Sequence, residues 1–314
     1  MRNYLIVCFA FLLALMGLHA RAAEKINFAT AIKVTPAYYL PVLAAEERGF
    51  WRENGLKVNW IPFRGGPDMQ KAIVARSVLI GLTTAGGLIA AATRGVPVII
   101  VSDLQKTAGV GLYVLADSPI KNPKQLAGKK IGVTRLGAVD HAYANFVASS
   151  LGIKVRVVAA GGVPEKIAAL RAGVLDTFTI FLYPIMELKV RGVVRELLLV
   201  DELLPQEWIT HLVFAHKQLV KDNPAQVQRV VNAILKSSAF IRGDRAWARA
   251  KMRKVQGYSD AAAREVYKVL NFTKDGKVNP KAVENVKKFL IQSKVIKREK
   301  ALPVDKLYTA RFTR

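Results

Sequence analysis

The fold of this chain is decided by the stretch YYLPVLAAEERGFWRENGLKV, residues 38–58. Its first part, residues 38–48, has apolar side chains at helical spacing, and the run that begins at Leu56 is typical of a β-strand. Gly49 and Gly55 lie between the two, where a helix ends and a backbone with positive φ is often needed. We therefore predict a helix, a turn and a strand in this order.

Strand-like and helical patterns alternate as far as about residue 217. The strand-like runs are residues 26–29, 58–63, 78–82, 96–101, 111–116, 130–134, 155–159 and 177–181. The helical patterns are residues 38–48, 68–75, 88–94, 138–151, 165–172 and 185–191. This alternation predicts an α/β protein whose sheets are mostly parallel and flanked by helices.

After residue 217 the pattern becomes helical. Asn223 followed by Pro224 is typical of a helix start, and apolar residues from Val227 onward mark one buried face. We predict that residues 23–112 begin one lobe, that residues 113–213 form a second lobe, and that residues 214–314 complete the first. Two crossover strands, near residues 110–116 and 210–215, would join the lobes.

The first 22 residues have the layout of a secretory signal peptide. Arg2 precedes an apolar run of about 14 residues, and Ala20 and Ala22 form a small-x-small cleavage pattern. The run is shorter than the roughly 20 residues that span a bilayer. We therefore expect cleavage after Ala22 and a periplasmic protein, with an uncleaved anchor as the alternative. Cys8 is the only cysteine, so no disulfide is available to residues 23–314.

The charge of the chain is strongly basic. Its formal net charge is +25, and residues 215–314 hold 24 Lys and Arg against 8 Asp and Glu. One interpretation is a surface that binds anionic lipid or nucleic acid. The other, favoured because the basic residues are interleaved with apolar positions at helical spacing, is a set of solvated helix faces. We therefore expect no nucleic-acid partner.

Further landmarks follow the opening stretch in a regular order. They are FRGG (63–66), GVPV (95–98), DSPI (117–120), LAGKKIGV (126–133), AALRAG (168–173) and PQEW (205–208). Together with residues 38–58, these landmarks resemble the ABC-transporter solute-binding proteins of the nitrate/sulfonate/taurine type. That group belongs to the superfamily that also contains thiamine-pyrimidine binders.

The resemblance implies a two-lobed periplasmic-binding-protein (type II) fold and a monomeric binding protein without a cofactor. The expected ligand is a small organic anion such as a sulfonate, nitrate, taurine or a carboxylate, delivered to an ABC permease in the inner membrane. A pyrimidine or another flat ring is the alternative. The resemblance also raises the hypothesis that the protein is an enzyme, because yeast-type pyrimidine synthases share the fold. Those enzymes depend on a cysteine-rich motif that residues 23–314 lack, so we expect no enzymatic activity.

The ligand site is expected where strands end and helices begin. In open α/β sheets, ligands bind beyond the carboxyl ends of the strands, near helix N-termini that carry free N–H groups. The predicted ligand-binding residues are Thr35, Tyr38, Arg64, Gly65, Gly66, Thr83, Thr84, Thr134, Arg135, Gly137, Ala138, Asp140, His141, Gly162 and Tyr183.

Several of these residues also have an interpretation that involves no ligand. Arg64 and Arg135 would reach an anion from opposite lobes or remain solvated, and Thr83 and Thr84 would contact the ligand or only cap a helix. Asp140 and His141 are neighbours on a predicted helix, about 100° apart, so they form no catalytic dyad. No metal site is expected: His211 and His216 lie on opposite faces of a predicted strand.

Overall fold

The computed structural model describes residues 23–32, 36–107 and 109–313, and the predicted signal peptide lies outside these ranges. Ten strands form two five-stranded sheets within the described residues. They are β1 (Glu24–Thr30), β2 (Leu56–Pro62), β3 (Ile80–Thr84), β4 (Val98–Gln105), β5 (Val110–Leu115), β6 (Lys130–Val133), β7 (Arg156–Ala159), β8 (Thr177–Phe181), β9 (Val194–Leu199) and β10 (His211–His216).

The first sheet has the order β2-β1-β3-β10-β4 and the second has the order β7-β6-β8-β5-β9. In the first sheet, β1 pairs in parallel with β2 and β3, whereas β10 is antiparallel to both β3 and β4. In the second, β6 pairs in parallel with β7 and β8, and β5 is antiparallel to β8 and β9. Each sheet therefore has four strands in one direction and one reversed strand, which confirms the predicted mostly parallel, two-lobed α/β architecture.

The reversed strands are the two that follow the crossings between the lobes. β5 lies wholly in the second sheet and β10 wholly in the first. The chain therefore changes sheets between residues 105 and 110, and again between residues 199 and 211. The lobe borders that we predict from the sequence, after residues 112 and 213, fall inside these strands. The observed borders lie before these strands, because β5 pairs within the second sheet and β10 within the first sheet from their first residues onward.

Twelve α-helices accompany the strands in the described residues. They are α1 (Leu40–Glu47), α2 (Phe50–Glu53), α3 (Gly66–Val74), α4 (Ala85–Thr93), α5 (Val139–Ser150), α6 (Val163–Arg171), α7 (Leu182–Val190), α8 (Lys217–Asp222), α9 (Pro224–Gly243), α10 (Arg245–Gln256), α11 (Asp260–Val269) and α12 (Pro280–Gln292). Among the described residues, no helix is long and apolar enough to cross a membrane.

The opening stretch folds as its pattern predicts. A 3₁₀ turn at Ala37–Tyr39 leads into α1, and Gly49 and Gly55 both adopt left-handed backbone, with φ of 74° and 66°. Only glycine takes this conformation without steric cost, so the two glycines end the helical segments and turn the chain into β2. The strand β2 then pairs in parallel with β1 from Leu56 onward.

The C-terminal helices complete the first lobe and also reach the second. α9 packs on α1 and α2, and α12 packs on α4. α11 contacts α7 of the second lobe, and α12 contacts α5. The buried face of α9 contains Val227, Val230, Val231 and Ile234. Each such side chain contributes about 1.5–3 kcal/mol when fully buried, so α9 is held by packing rather than by its own helix propensity.

Candidate ligand-binding cleft

A cavity of about 580 Å³ lies between the two lobes. Residues at the carboxyl ends of β3 and β8 line it, as do the loops after β2 and β6 and the first turns of α3, α4 and α5. The start of β10 reaches the same edge because this strand runs antiparallel to β3. Such a crevice outside the carboxyl ends of strands is where open α/β sheets bind ligands.

Most of the sequence-predicted site residues lie in this cavity. The eleven that line it are Tyr38, Arg64, Gly65, Gly66, Thr83, Thr84, Thr134, Arg135, Gly137, Ala138 and Asp140. His141, Gly162 and Tyr183 are outside its lining, and Thr35 lies outside the described residues. The cavity therefore groups eleven residues that the sequence separates by up to about a hundred positions. Which of them contact a ligand stays a prediction.

The first lobe contributes a capped helix N-terminus. Thr84 is the N-cap of α4, and its Oγ1 accepts a hydrogen bond from the backbone N–H of Gly87 at 3.2 Å. Thr83 is buried beside it on β3. The hydroxyl proton of Thr84 stays available to a ligand, because capping uses only the oxygen as an acceptor. The N-terminus of α4 also carries a partial positive charge toward the cavity.

Two arginines line the cavity from opposite lobes. Arg64 follows β2 of the first lobe and Arg135 follows β6 of the second. A Cβ atom placed on Gly65 would lie 4.0 Å from Nη2 of Arg135, so the second lobe reaches the 64–66 loop directly. Neither guanidinium has a hydrogen-bond or ion-pair partner among the residues that the structure describes. Both groups are therefore available to an anion between the lobes.

Asp140 lines the cavity, but its carboxylate is engaged by groups of the protein. Its Oδ2 accepts from the backbone N–H and the hydroxyl of Thr134, at 2.6 and 2.7 Å. Nζ of Lys166 lies 2.9 Å from the same oxygen. Burial lowers the pKa of Lys166, whereas the Asp140 carboxylate raises it and opposes this shift. The negative charge of Asp140 is thus neutralised within the protein, and the cleft keeps its basic character.

The remaining predicted residues make contacts within the protein at the edge of the cleft. Nδ1 of His141 accepts from the backbone N–H of Gly137 at 2.8 Å, which fixes the turn before α5. The hydroxyl of Tyr183 accepts from the side-chain amide of Gln105, and Gly162 is the N-cap of α6. These contacts give each residue a structural role at the edge of the cleft.

Tyr38 is stacked within the protein. Its ring lies on the imidazole of His211, with centroids 3.8 Å apart and an interplanar angle of 19°. Tyr39 and Tyr183 contact the same ring at 4.6 and 5.8 Å. The sequence suggests Tyr38 as a stacking surface for a ligand, but His211 already covers one face of its ring.

His211 and Thr210 are cleft residues that sequence reasoning does not select. Both line the cavity and both are nearly inaccessible to water. Burial lowers the pKa of His211 to about 3, so its ring is neutral at ordinary pH. The position of His211 in the cleft can be predicted only from the order and direction of the strands. An antiparallel crossing strand begins at the edge where its parallel neighbours end, and His211 is its first residue.

A second part of the cavity lining is apolar. Met69 and Ile73 of α3, Leu88 of α4, and Phe289 and Leu290 of α12 line it. Arg94, whose Nη2 donates to Oε1 of Gln70 at 3.2 Å, is also in the lining. Across the described residues, no group of three or more His, Cys, Asp or Glu is placed to hold a metal ion. The cavity thus combines basic groups at the lobe border with an apolar interior.

Comparison with known proteins places the chain in a family. The sequence profile of the NMT1/THI5-like family matches residues 37–246. The chain belongs to the NMT1/THI5-like family. This membership confirms the resemblance inferred from residues 38–58 and the landmarks that follow them.

Curated relatives of this NMT1/THI5-like protein include fungal enzymes. The 4-amino-5-hydroxymethyl-2-methylpyrimidine phosphate synthase of Schizosaccharomyces pombe is 32% identical over 111 residues, which cover 35% of this chain and 32% of the enzyme. The chain therefore spans about a third of the length of that relative. The synthase THI11 of Saccharomyces cerevisiae is 24% identical over 254 residues, covering 72% of this chain and 70% of the enzyme.

A solved structure shows the same fold over nearly the whole chain. The periplasmic aliphatic sulphonate binding protein SsuA from Escherichia coli superposes with a TM-score of 0.75 at 19% identity, covering 91% of each chain. Similarity at this identity concerns the fold. It confirms the predicted type II periplasmic-binding-protein architecture for this family member.

Proposed function

We propose that this protein is the periplasmic solute-binding component of an ABC importer and captures a small organic anion in the inter-lobe cleft. The observation that carries the proposal is the pair Arg64 and Arg135, which face one cavity from opposite lobes. Neither is neutralised by an acid among the described residues. An anion between them would link the lobes through charge-assisted hydrogen bonds.

The surrounding wall supports an organic rather than an inorganic anion. The N-terminus of α4 and the hydroxyls of Thr83 and Thr84 offer polar contacts near the lobe border. Beyond them the cavity is lined by apolar side chains, including Leu88 and Phe289. A sulfonate or carboxylate with an apolar body would place its charge on the arginines and its body against this wall. The Escherichia coli neighbour is a sulphonate-binding protein, which supports the same class of ligand.

Delivery to a permease follows from closure of the lobes. The two connections between the sheets, one after Gln105 and one after Leu199, act as the hinge in the proposal. Closing on a ligand would bring the surfaces of both lobes into one arrangement that a membrane permease recognises. The predicted signal peptide, residues 1–22, supports the periplasm as the compartment.

Titration of the purified protein with alkanesulfonates, taurine, carboxylates and nitrate tests the proposal by calorimetry. Arg64→Gln and Arg135→Gln should each weaken binding of an anion by about 1.5–3 kcal/mol, roughly ten- to a hundredfold. Arg171→Gln is the matched control, because Arg171 is exposed at the end of α6 and outside the cavity lining. Equal affinity in all three variants would contradict the anion assignment.

A second candidate function is synthesis or binding of a pyrimidine. The observation that favours it is the 32% identity to a fungal 4-amino-5-hydroxymethyl-2-methylpyrimidine phosphate synthase over 111 residues. The same titration therefore includes this pyrimidine and its phosphate. Binding without chemical change during prolonged incubation supports a binding protein, whereas conversion of a bound ligand would establish an enzyme.

A further inference from the structure

His211 holds a polar atom that the protein itself leaves without a partner. Its side chain is 1% exposed and lines the cavity at the start of β10. One ring nitrogen, Nδ1, lies 2.9 Å from Oε1 of Gln105. The other, Nε2, has no hydrogen-bond partner among the described residues. The stack on Tyr38 fixes the plane of the ring.

Gln105 determines which nitrogen of His211 carries the proton. The amide Nε2 of Gln105 donates to the hydroxyl of Tyr183, so the amide oxygen faces His211. An amide oxygen only accepts, and Nδ1 of His211 must therefore donate to it. In a neutral imidazole the second nitrogen then has a free lone pair, which makes Nε2 of His211 an acceptor.

The ring of His211 stays neutral because of where it lies. Among the described residues no carboxylate shifts its pKa, and its ring neighbours are the aromatic side chains of Tyr38 and Phe181. Burial lowers its pKa to about 3. At neutral pH the cleft thus contains an uncharged acceptor that is shielded from water and has no internal donor. Such an unmet acceptor destabilises the empty protein and favours any ligand that supplies a donor.

We propose that His211 makes the cleft selective for organic anions that also carry a neutral hydroxyl or N–H donor, which its Nε2 accepts. This inference rests on the proposed function, because it specifies the ligand of the same cavity. The two arginines bind the charge of the ligand, and His211 distinguishes among anions by a second polar group.

Two neighbouring features point to a neutral donor. Oγ1 of Thr210 is also buried in the cavity lining and has no partner among the described residues. A hydroxyl is both donor and acceptor, so a hydroxylated anion offers a partner for either group. An ammonium group would add a positive charge to a cleft that already holds two free arginines, and Asp140, the carboxylate in the lining, is paired with Lys166. The cleft therefore suits a hydroxyl or amide better than a cation.

The test compares pairs of probes that differ by one hydroxyl. Affinities for 2-hydroxyethanesulfonate and ethanesulfonate, and for glycolate and acetate, are measured by calorimetry at pH 7. The wild-type protein should prefer the hydroxylated member of a pair by about five- to thirtyfold, since the hydroxyl completes a buried hydrogen bond. Taurine, which carries an ammonium in place of the hydroxyl, should show no such preference over ethanesulfonate.

The variants separate His211 from the rest of the cleft. His211→Phe keeps a ring against Tyr38 without an acceptor, and it should bind both members of a pair equally. His216→Phe is the matched control at the other end of β10, where Nδ1 accepts from the backbone N–H of Gln218. It should keep the wild-type preference. Gln105→Met removes the acceptor that fixes the tautomer, and it should reduce the preference while the imidazole remains.

Nitrogen-15 NMR of the ligand-free wild-type protein measures the tautomer independently of folding in any variant. A protonated Nδ1 and an unprotonated Nε2 support the inference, and the reverse assignment overturns it. Anion binding that shows no hydroxyl preference, or a preference that survives in His211→Phe, overturns this inference and leaves the proposed function standing. Failure of every anion to bind overturns both.

Discussion

Nζ of Lys166 lies 2.9 Å from Oδ2 of Asp140, and the two side chains are almost completely shielded from water. The same lysine donates to the backbone carbonyl of Thr179, and the same carboxylate accepts from Thr134. One buried ion pair therefore ties α6, the start of α5, the loop after β6 and strand β8 together. This arrangement positions Arg135, which follows Thr134 in that loop.

Asp140→Asn should destabilise the protein strongly. Removing one member of a buried pair leaves the other charge without compensation, which costs about 3–5 kcal/mol. Denaturant unfolding measures the change in the free energy of unfolding. Glu265→Gln, which breaks the exposed pair with Lys268, is the control and should leave the stability within error.

The loss of stability caused by Asp140→Asn should depend on pH. Burial lowers the pKa of Lys166 in the folded state below the ordinary value of 10.5. In the variant, the unfolded chain then binds more protons than the folded protein, so the stability of the variant rises with pH in this range. The deficit should therefore shrink as the pH approaches 10.5. A deficit that stays constant up to that pH would show that charge burial is not its cause.

Asp103 should make the protein less stable as the pH rises from about 4 to 7. Burial raises the pKa of its carboxyl from 3.8 to about 7, with Asp275 raising it further and Lys106 lowering it. Between these values the folded state binds more protons than the unfolded state, so the free energy of unfolding falls with pH. The full loss amounts to roughly 4 kcal/mol and is complete above pH 7.

The variant Asp103→Asn tests this pH dependence. Urea unfolding at pH 5 and pH 8 should show a smaller fall in stability for the variant than for the wild type. Asp305→Asn is the control, because its side chain is exposed. If Asp103→Asn and the wild type lose stability in parallel, the buried carboxyl is not the group responsible.

Gly65→Ala should weaken both the fold and ligand binding. The backbone of Gly65 has φ of 137°, a conformation that side chains rarely adopt, and its strain costs about 1–3 kcal/mol. The added methyl would also lie 3.7 Å from Cδ of Pro67, between the loop and Arg135. Calorimetric unfolding and titration with an anion measure the two effects.

The matched control for this substitution is Gly243→Ala. Gly243 ends α9, has no positive φ, and an added Cβ would meet nothing within 4 Å. Its replacement should leave ligand binding unchanged. Wild-type binding by Gly65→Ala would mean that the 64–66 loop does not contact the ligand closely.

Phe289→Ala should loosen the contact between the C-terminal helices and the second lobe. The ring of Phe289 lies 4.8 Å from Tyr143 and 5.2 Å from Phe146 of α5, and 5.6 Å from Trp208. Deleting a buried aromatic ring costs about 3–5 kcal/mol. Thermal unfolding measures the loss, with the partly exposed Val269→Ala as the control. A loss no larger than that of the control would show that the two lobes are not joined through this cluster.

Local patterns of the sequence are enough to predict most strands and helices. The turn at Gly49 and Gly55, the start of α9 at Pro224 and the run of β8 at residues 177–181 all lie where the pattern indicates. Strand β9 is not predicted, because Arg195 and Glu196 interrupt its apolar run. As an edge strand it tolerates these charges: Arg195 donates to the carbonyl of Ser118, and Glu196 pairs with Lys189.

The sequence by itself determined the α/β class, the family and the loops at the ends of the strands, because each depends on residues close together in the chain. Only the tertiary structure decided which loop side chains are free. Asp140 is occupied by Lys166, which lies 26 residues later. His211 enters the cleft because β10 returns antiparallel between β3 and β4. Such pairings depend on which surfaces, distant in sequence, pack against each other. The spacing of residues in the sequence does not determine this packing.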